Sequence, residues 1–387
     1  MAAFLGAMRE DRQLRLWTDP SADEDPAYLQ EQLLTCIGNK RSLLNHLGDA
    51  ITKVKQRLGK DRLRVLDAFS GSGVISRYCK CHAEYLIAND LEYYAAITSQ
   101  CYLRNRSEVD LAHLGALVER LNHEVASAPQ PPGFIEELYA PKDENNIQQG
   151  ERVFYTRKNA RRLDNYRRLL NELAPADRLM LLGPLLSEAS VHANTAGVFK
   201  GFYKDRGSQV GRFGGTNSDA LKRIKGEITL SIPILSRYEC AVDVFQEDAN
   251  QLVRRLHGLD LAYFDPPYNQ HPYGSNYFML NLLATYERPG RVSEVSGIPV
   301  DWQRSGYNVR SRSFSLIMDL VHQVDSKFIL LSFNDEGFIR PDAIYQLLAQ
   351  FGPVDTIELP YNTFRGSRNL RQRNIHVSEH LFLVERR

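Results

Sequence analysis

The sequence of 387 residues predicts an α/β protein with a mostly parallel sheet of about seven strands and a helical, loop-rich insertion. Two observations indicate this fold class. Short apolar runs alternate with segments of helical spacing near the start of the chain and again near its end, as in a parallel α/β sheet. Between them, residues 106–239 combine helical periodicity, prolines and glycines without a strand pattern.

The elements before the insertion follow a polar stretch, residues 1–30, which we expect to be an extension of weak structure. Apolar runs of four to six residues indicate strands, and apolar residues three or four apart indicate helices. The predicted elements are a helix from 38 to 51, a strand over 64–69, a glycine turn over 70–73, a helix from Val74, a strand over 85–90 and a helix over 93–103.

Within the insertion we predict helices over 109–126, 163–173 and 179–191, the last interrupted at Gly183-Pro184, and then a glycine-rich loop or hairpin. The strand pattern then resumes. The predicted strands lie at 241–245, 259–264 and 328–333, followed by a closing hairpin of 354–359 and 380–384.

Composition limits the kind of protein. Apolar residues make up 43% of the chain and charged residues 25%, and no apolar run approaches a membrane span. The chain start lacks the segments of a secretory signal, and an odd number of cysteines indicates reduced thiols, so we expect a cytoplasmic protein. No second ligand pair follows Cys79-Lys80-Cys81-His82 at metal spacing, so no metal site is predicted. The cysteines are Cys36, Cys79, Cys81, Cys101 and Cys240.

The strongest chemical signal is Asp265-Pro266-Pro267-Tyr268, directly after the apolar run Leu259–Phe264. At the mouth of a buried strand, the carboxylate can accept a hydrogen from a planar amine. The prolines stiffen the turn and leave a carbonyl outside the strand ladder. The tyrosine offers a ring face for stacking. These four residues are our candidates for catalysis on an aromatic amine.

A glycine turn, Asp67-Ala68-Phe69-Ser70-Gly71-Ser72-Gly73, joins a strand to a helix, and Asp90 ends the next strand. Glycines let a backbone approach a ligand closely, and an acid at that distance can bind ribose hydroxyls. Ile75-Ser76 stand where a dinucleotide fingerprint needs its third glycine. The pattern therefore fits an adenosine-bearing cofactor without a pyrophosphate, although a helix cap is an equally good interpretation of Asp90 alone.

Net charge is only +1, but basic residues concentrate in the insertion, over 156–168 and 200–225. Either run alone fits a solvated helix face, whereas two runs in one segment favour a surface that faces a polyanion. Our candidates for phosphate or base contacts are Lys200, Lys204, Arg206 and Arg212. Phe333 is a candidate wall of the amine pocket, and its alternative is a core residue at a strand end.

These motifs together resemble those of the Dam-like (D12-class) adenine-specific DNA methyltransferases, similar to those of restriction-modification systems. The cofactor motifs precede the insertion and the catalytic motif follows it, which is the alpha-type order. Beyond the turn and the catalytic tetrapeptide, the resemblance rests on Ile37-Gly38-Asn39-Lys40, Asn89-Asp90, Glu247-Asp248 and Leu331–Gly337.

The resemblance implies a Rossmann-like class I methyltransferase fold that uses S-adenosyl-L-methionine and acts on flipped-out adenine in double-stranded DNA. It divides the chain into an N-terminal extension (1–30), a discontinuous catalytic domain (31–105 and 240–387) and an inserted target-recognition domain (106–239). A cognate restriction endonuclease could act separately. The implied cofactor-binding residues are Ile37, Gly38, Lys40, Asp67, Phe69, Gly71, Gly73, Asp90, Asp248 and Asp265.

Three alternatives stay open on the sequence. The same fold could methylate the N4 amine of cytosine, RNA or a protein amide. It could be a catalytically silent nucleic-acid-binding protein. It could also be a nicotinamide-dependent oxidoreductase that uses the glycine turn, although this leaves the prolines and both basic runs unexplained.

Overall fold

The computed structural model describes residues 19–36, 40–127, 131–215, 218, 220–362 and 376–387. The strands in this part of the chain are β1 (Leu63–Asp67), β2 (Ala83–Asn89), β3 (Ala241–Phe245), β4 (Leu259–Phe264), β5 (Ser326–Asn334), β6 (Val354–Asn362) and β7 (His376–Glu385). They form one sheet in the order β3-β2-β1-β4-β5-β7-β6. The first five strands pair in parallel, and β7 runs antiparallel to both of its neighbours. The seven predicted strands and the closing hairpin are confirmed.

The helices lie between the strands and within the insertion. In chain order they are α1 (Pro26–Gln30), α2 (Leu44–Leu58), α3 (Val74–Lys80), α4 (Tyr93–Tyr102), α5 (Leu111–Ser127), α6 (Phe134–Tyr139), α7 (Arg157–Asn171), α8 (Pro175–Val191), α9 (Leu221–Lys225), α10 (Ala249–Leu252), α11 (Tyr273–Asn276), α12 (Phe278–Thr285), α13 (Arg310–Gln323) and α14 (Pro341–Leu348). No helix in the described ranges is long and apolar enough to cross a membrane.

Alternate residues of the central strands supply the two faces of the sheet. Leu66, Ala262 and Ile329 pack in one apolar cluster with α13 and α14, whereas Val65 and Leu261 pack in another with α2 and α3. Strand β4 is buried along its whole length, as expected for a strand covered on both faces. Because parallel strands end at the same edge, the residues that follow β1, β2, β3 and β4 come together there.

The inserted helices share a core with the helices of the sheet. Leu114 of α5, Leu163 of α7 and Leu185 of α8 lie in the same buried cluster as Tyr94 of α4 and Phe278 of α12. The insertion is therefore anchored on the elements that follow β2 and β4, next to the edge where the motifs meet.

Helix α8 corrects one expectation, because it continues through Gly183-Pro184 instead of breaking there. Proline cannot donate to the carbonyl four residues earlier, which is that of Met180. That carbonyl instead accepts from Cys101 Sγ at 3.3 Å. A Cβ at Gly183 would lie 2.6 Å from the same sulfur. The absence of a side chain at Gly183 therefore lets α8 pack closely against Cys101 of α4.

The polar extension is also more ordered than expected from residue 19 onward. Asp25 caps α1, whose first residue is Pro26, a favourable arrangement for a helix start. Glu24 is buried and accepts from Ser236 Oγ and from the Arg237 backbone at 2.9 Å. These contacts fasten the segment to the chain just before β3. The part of the extension before residue 19 lies outside the described residues.

Candidate active site

A cleft with an empty volume of about 960 Å³ opens at the carboxyl edge of the parallel strands. The turns after β1, β2, β3 and β4 form its walls, together with residues just before α2 and the segment between α12 and α13. Its chemically informative lining residues are Cys36, Lys40, Phe69, Gly71, Asp90, Glu92, Glu247, Asp248, Asp265, Pro267, Tyr273 and Tyr307. Seven of the predicted catalytic and cofactor-binding residues therefore meet in one place: Lys40, Phe69, Gly71, Asp90, Asp248, Asp265 and Pro267.

The glycine turn has the predicted geometry. Gly71 and Gly73 have φ angles of 51° and 79°, values that side chains disfavour. The Gly71 backbone N–H donates to Asp90 Oδ2 at 2.8 Å, and the Gly73 N–H donates to the Ser70 carbonyl at 2.7 Å. The turn thus lines the cleft with Phe69, Ser70, Gly71 and Ser72 and is joined through Gly71 to the end of β2.

Asp67 lies beneath this turn and is 1% exposed, and it is not part of the cleft lining. Its Oδ2 accepts from Ser76 Oγ at 2.5 Å, whereas its buried Oδ1 has no hydrogen-bond partner among the described residues. Burial raises the pKa of this carboxyl to about 7. Phe69 does line the cleft and packs edge-on against Tyr307, with ring centroids 5.3 Å apart.

Two acids follow β2 in the cleft wall. Asp90 Oδ1 accepts from the Glu92 backbone N–H at 2.8 Å, so both of its oxygens contact the backbone. Sequence reasoning missed Glu92, whose Oε2 accepts from Asn281 at 2.7 Å and whose pKa burial raises to about 7. The signal for Glu92 was its position two residues after a strand-ending acid.

Asp248 stands on the exposed rim of the cleft and caps α10, accepting from the backbone of Asn250 at 3.0 Å. Tyr307 donates to the Asn250 side chain at 2.6 Å, which fixes the aromatic wall beside this acid. Glu247 is paired with Arg255 at 2.5 Å. Glu247 therefore has an arginine partner, whereas Asp248 has none within the part of the chain that the structure describes.

The tetrapeptide Asp265-Pro266-Pro267-Tyr268 follows β4 as predicted. Asp265 and Pro267 line the cleft, and Tyr268 is half-buried behind them. Lys40 is 4% exposed, and its Nζ lies 3.2 Å from Asp265 Oδ1 and 5.7 Å from the Tyr268 ring centroid. Burial raises the pKa of Asp265 to about 6, against the lowering effect of the Lys40 charge.

Sequence reasoning missed a second acid at this lysine. Glu379 of β7 is 1% exposed, lies 2.5 Å from Lys40 Nζ through Oε1, and accepts from Ser332 Oγ at 2.6 Å. The available signal was a single carboxylate just before an apolar strand run, His380–Val384. Ile37 and Gly38, the predicted cofactor contacts before Lys40, lie outside the described residues.

Phe333 is fully buried at the end of β5 and packs edge-on against Tyr268, with centroids 5.7 Å apart. A side chain with no exposed surface cannot touch a base, so the structure contradicts its assignment as a DNA contact. It supports the Tyr268 ring from behind instead. This agrees with the alternative interpretation, a core residue at a strand end.

The arginines of the first basic run differ from the expectation of a free cationic face, because four of them have partners within the protein. Arg157 and Arg161 both bind the buried carboxylate of Glu136, at 2.7 and 2.6 Å. Arg162 donates to the Ile228 carbonyl at 2.6 Å, and Arg167 to the Leu283 carbonyl at 2.5 Å. These contacts hold α7 to its neighbours, and of the four side chains Arg162 and Arg167 are buried.

The second run includes a short hairpin that reaches the surface. Lys204 bridges to Gly211 across the hairpin, and Arg206 lies exposed at its tip. Arg212 is half-buried and donates to the Gly215 carbonyl at 2.5 Å. Lys200 is exposed, and the backbone N–H of its neighbour Phe199 donates to Asn276 O at 2.7 Å, in α11 shortly after Tyr268.

The charge of the cleft discriminates among cofactors. Among the described lining residues Lys40 is the sole lysine or arginine, whereas five carboxylates line the same space: Asp90, Glu92, Glu247, Asp248 and Asp265. A pyrophosphate would meet repulsion here, but ribose hydroxyls, an adenine amine and a cationic group would meet acceptors. This disfavours a nicotinamide dinucleotide.

The strand order with its single reversed strand β7, and the acid-proline-proline-tyrosine motif after β4, define a methyltransferase of the class I fold. The family model of the D12 class N6 adenine-specific DNA methyltransferases matches residues 37–347. The chain belongs to this family.

Several curated relatives are modification enzymes. The type II methyltransferase M.NlaIII of Neisseria lactamica is 28% identical over 361 residues, covering 90% of this chain and 98% of that protein. The type II methyltransferase M.CviAII of Paramecium bursaria Chlorella virus 1 is 26% identical, with 90% and 97% covered. Modification methylase LlaI of Lactococcus lactis subsp. lactis is 26% identical, with 85% of this chain and 50% of that protein covered.

Proposed function

We propose that this DNA methyltransferase transfers a methyl group from S-adenosyl-L-methionine to the N6 amine of an adenine turned out of double-stranded DNA. The observation that carries the proposal is that Asp265 and Pro267, directly before Tyr268 in the chain, line a cleft rich in acidic residues. The family membership supports the same acceptor.

The residues present fit the cofactor. The glycine turn leaves room for a ligand against its backbone, since a Cβ at Gly71 or Gly73 would meet nothing closer than 4.0 Å. Asp90 and Glu92 are acceptors for ribose hydroxyls, and Asp248 is an acceptor for the adenine amine. The bound cofactor supplies an electrophilic methyl group on a sulfonium, and no residue has to activate it further.

The chain's own residues would orient the amine. Asp265 and the Pro266 carbonyl accept the two amino hydrogens, which directs the nitrogen lone pair toward the methyl carbon. The cofactor, held by the glycine turn, Asp90 and Asp248, would supply the methyl group and would keep the electrons of the broken S–C bond on its sulfur. The nitrogen then gives up one proton, for which the Asp265 carboxylate is the adjacent acceptor. Positioning of this kind lowers a barrier by roughly 7–11 kcal/mol at best.

Tyr268 would stack on the base, worth about 1–3 kcal/mol against the few kcal/mol that base flipping costs. Its ring packs edge-on against Phe333 and lies 5.7 Å from Lys40 Nζ, and these contacts help to orient it. We assign the segment 106–239 to target recognition, with Lys200, Lys204, Arg206 and Arg212 as the phosphate or base contacts. A separate restriction endonuclease is the partner that the relatives' names suggest.

The test is transfer of a labelled methyl group from S-adenosyl-L-methionine to mixed-sequence duplex DNA, followed by nucleoside analysis. We expect label in N6-methyladenine. Label in N4-methylcytosine would overturn the acceptor and keep the mechanism. Absence of label with cofactor binding intact would overturn the enzymatic proposal in favour of a silent binding protein.

A variant tests the role of Asp265. We expect Asp265→Ala to lose nearly all methyl transfer while it still binds S-adenosyl-L-homocysteine, because the carboxylate contacts the amine. Loss of that binding in a normally folded variant would contradict the assignment.

A further inference from the structure

The lysine in the active site is shared by two carboxylates, the buried Glu379 and Asp265 at the cleft. Lys40 Nζ lies 2.5 Å from Glu379 Oε1 and 3.2 Å from Asp265 Oδ1. We refer to Lys40, Asp265 and Glu379 as the charge triad. One ammonium facing two carboxylates leaves the triad with one net negative charge.

The negative charge of the triad lies where water screens it only weakly. Lys40 and Glu379 are 4% and 1% exposed, so water screens them little. Ser332 donates to Glu379 at 2.6 Å and fixes it toward the lysine. Asp265 carries the triad into the cleft, and its pKa of about 6 keeps it ionised at pH 8.

A buried ion pair needs only one acid for one base, and an extra buried carboxylate costs desolvation energy. Asp265 alone would neutralise Lys40, so pairing does not explain Glu379. A compensating cation does explain it, and the proposed methyl donor brings one at its sulfonium. The demethylated product is a neutral thioether at the same atom.

We propose that Glu379 is a specificity-determining residue, whose charge makes the cleft prefer a cofactor that is cationic at the reacting sulfur over its neutral product. This inference rests on the proposed function. Glu379 acts through the field of the charge triad and does not touch the substrate. The preference would reduce inhibition by the product and help its release.

The test measures dissociation constants of S-adenosyl-L-methionine and S-adenosyl-L-homocysteine by calorimetry at pH 8 without DNA, so that no transfer occurs. We expect Glu379→Gln to reduce the preference for the cationic ligand by about tenfold, the effect of roughly 1.4 kcal/mol. Ser332→Ala, which keeps all three charges of the triad, is the matched control and should change the preference less than about twofold.

Asp265→Asn supplies a second variant that does not depend on the folding of Glu379→Gln. It also neutralises the triad, at a residue whose side chain is 19% exposed, and should lower the preference similarly. An unchanged preference in a folded Glu379→Gln or in Asp265→Asn would overturn the inference alone. Failure of the wild-type protein to bind either ligand would overturn the proposed function and this inference with it.

Discussion

Replacing Lys40 by methionine tests the charge triad through stability instead of activity. The substitution keeps most of the side-chain volume and leaves Asp265 and Glu379 facing each other without a cation. Removing one partner of a buried ion pair destabilises a protein by about 3–5 kcal/mol, because the other charge stays buried and uncompensated. We expect a loss of this size at pH 8.

The loss should depend on pH in a defined direction. Burial already raises the pKa of Asp265 to about 6 although Lys40 opposes the shift, so removal of Lys40 raises it further. A carboxyl whose pKa is raised by folding costs stability as pH rises from its unfolded to its folded pKa. In the wild type this cost stops growing near pH 6, whereas in the variant it continues to grow above it.

The assay is urea denaturation of both proteins at pH 6, 7 and 8. One proton corresponds to about 1.4 kcal/mol for each pH unit, so the variant should recover about that amount per unit from pH 8 to pH 6. Asp67 and Glu92, with pKa values of about 7, titrate in both proteins and cancel in the difference.

A matched substitution separates this effect from the general cost of losing a lysine. Lys53 is ion-paired with Asp355 at the surface, with the two side chains 42% and 57% exposed. Lys53→Met should cost less than about 1 kcal/mol, with no trend between pH 6 and 8. An equal loss for Lys40→Met at all three pH values would refute the shared-ammonium argument.

Two further predictions concern the insertion. Changing Lys204 and Arg206 together to alanine should weaken DNA binding and reduce the slope of log affinity against log salt by roughly one per lost phosphate contact. The control Arg161→Ala should leave this slope unchanged. An unchanged slope in the double variant would remove the hairpin from the contact surface. Gly183→Ala should lower stability by about 1–3 kcal/mol, because its Cβ would lie 2.6 Å from a buried thiol. Gly115→Ala, with its nearest neighbour at 3.4 Å, is the control, and equal melting temperatures for the two variants would contradict this account.

The predicted break in α8 shows where predictions from local sequence fail. Gly183-Pro184 predicted a break because proline removes one helical hydrogen bond and glycine is a poor helix former. In the protein α8 continues, since the thiol of Cys101 takes up the carbonyl left without its helical partner and the glycine allows close packing. The energetic balance depended on α4, which lies about 80 residues earlier in the chain and which no local rule includes.

The basic runs show that the role of a charged residue, too, cannot be predicted from local sequence alone. The sequence contains the arginines of α7 but not their partners, and a cation's effect depends on whether a carboxylate or water faces it. Glu136 holds Arg157 and Arg161, while Arg206 lies exposed on a hairpin. The two kinds of arginine are indistinguishable until the elements pack.

The sequence by itself determined the parallel sheet, the glycine turn and the position of the candidate catalytic motif after β4, because periodicity, glycine conformation and a contiguous motif are local properties. Asp90, Asp248 and Asp265 meet because parallel strands end at one edge. Only the tertiary structure brought Glu379 to Lys40, from 339 residues away along the chain. It did so by pairing β7 beside β5, and that contact, invisible to any local pattern, decides the net charge beside the reacting amine.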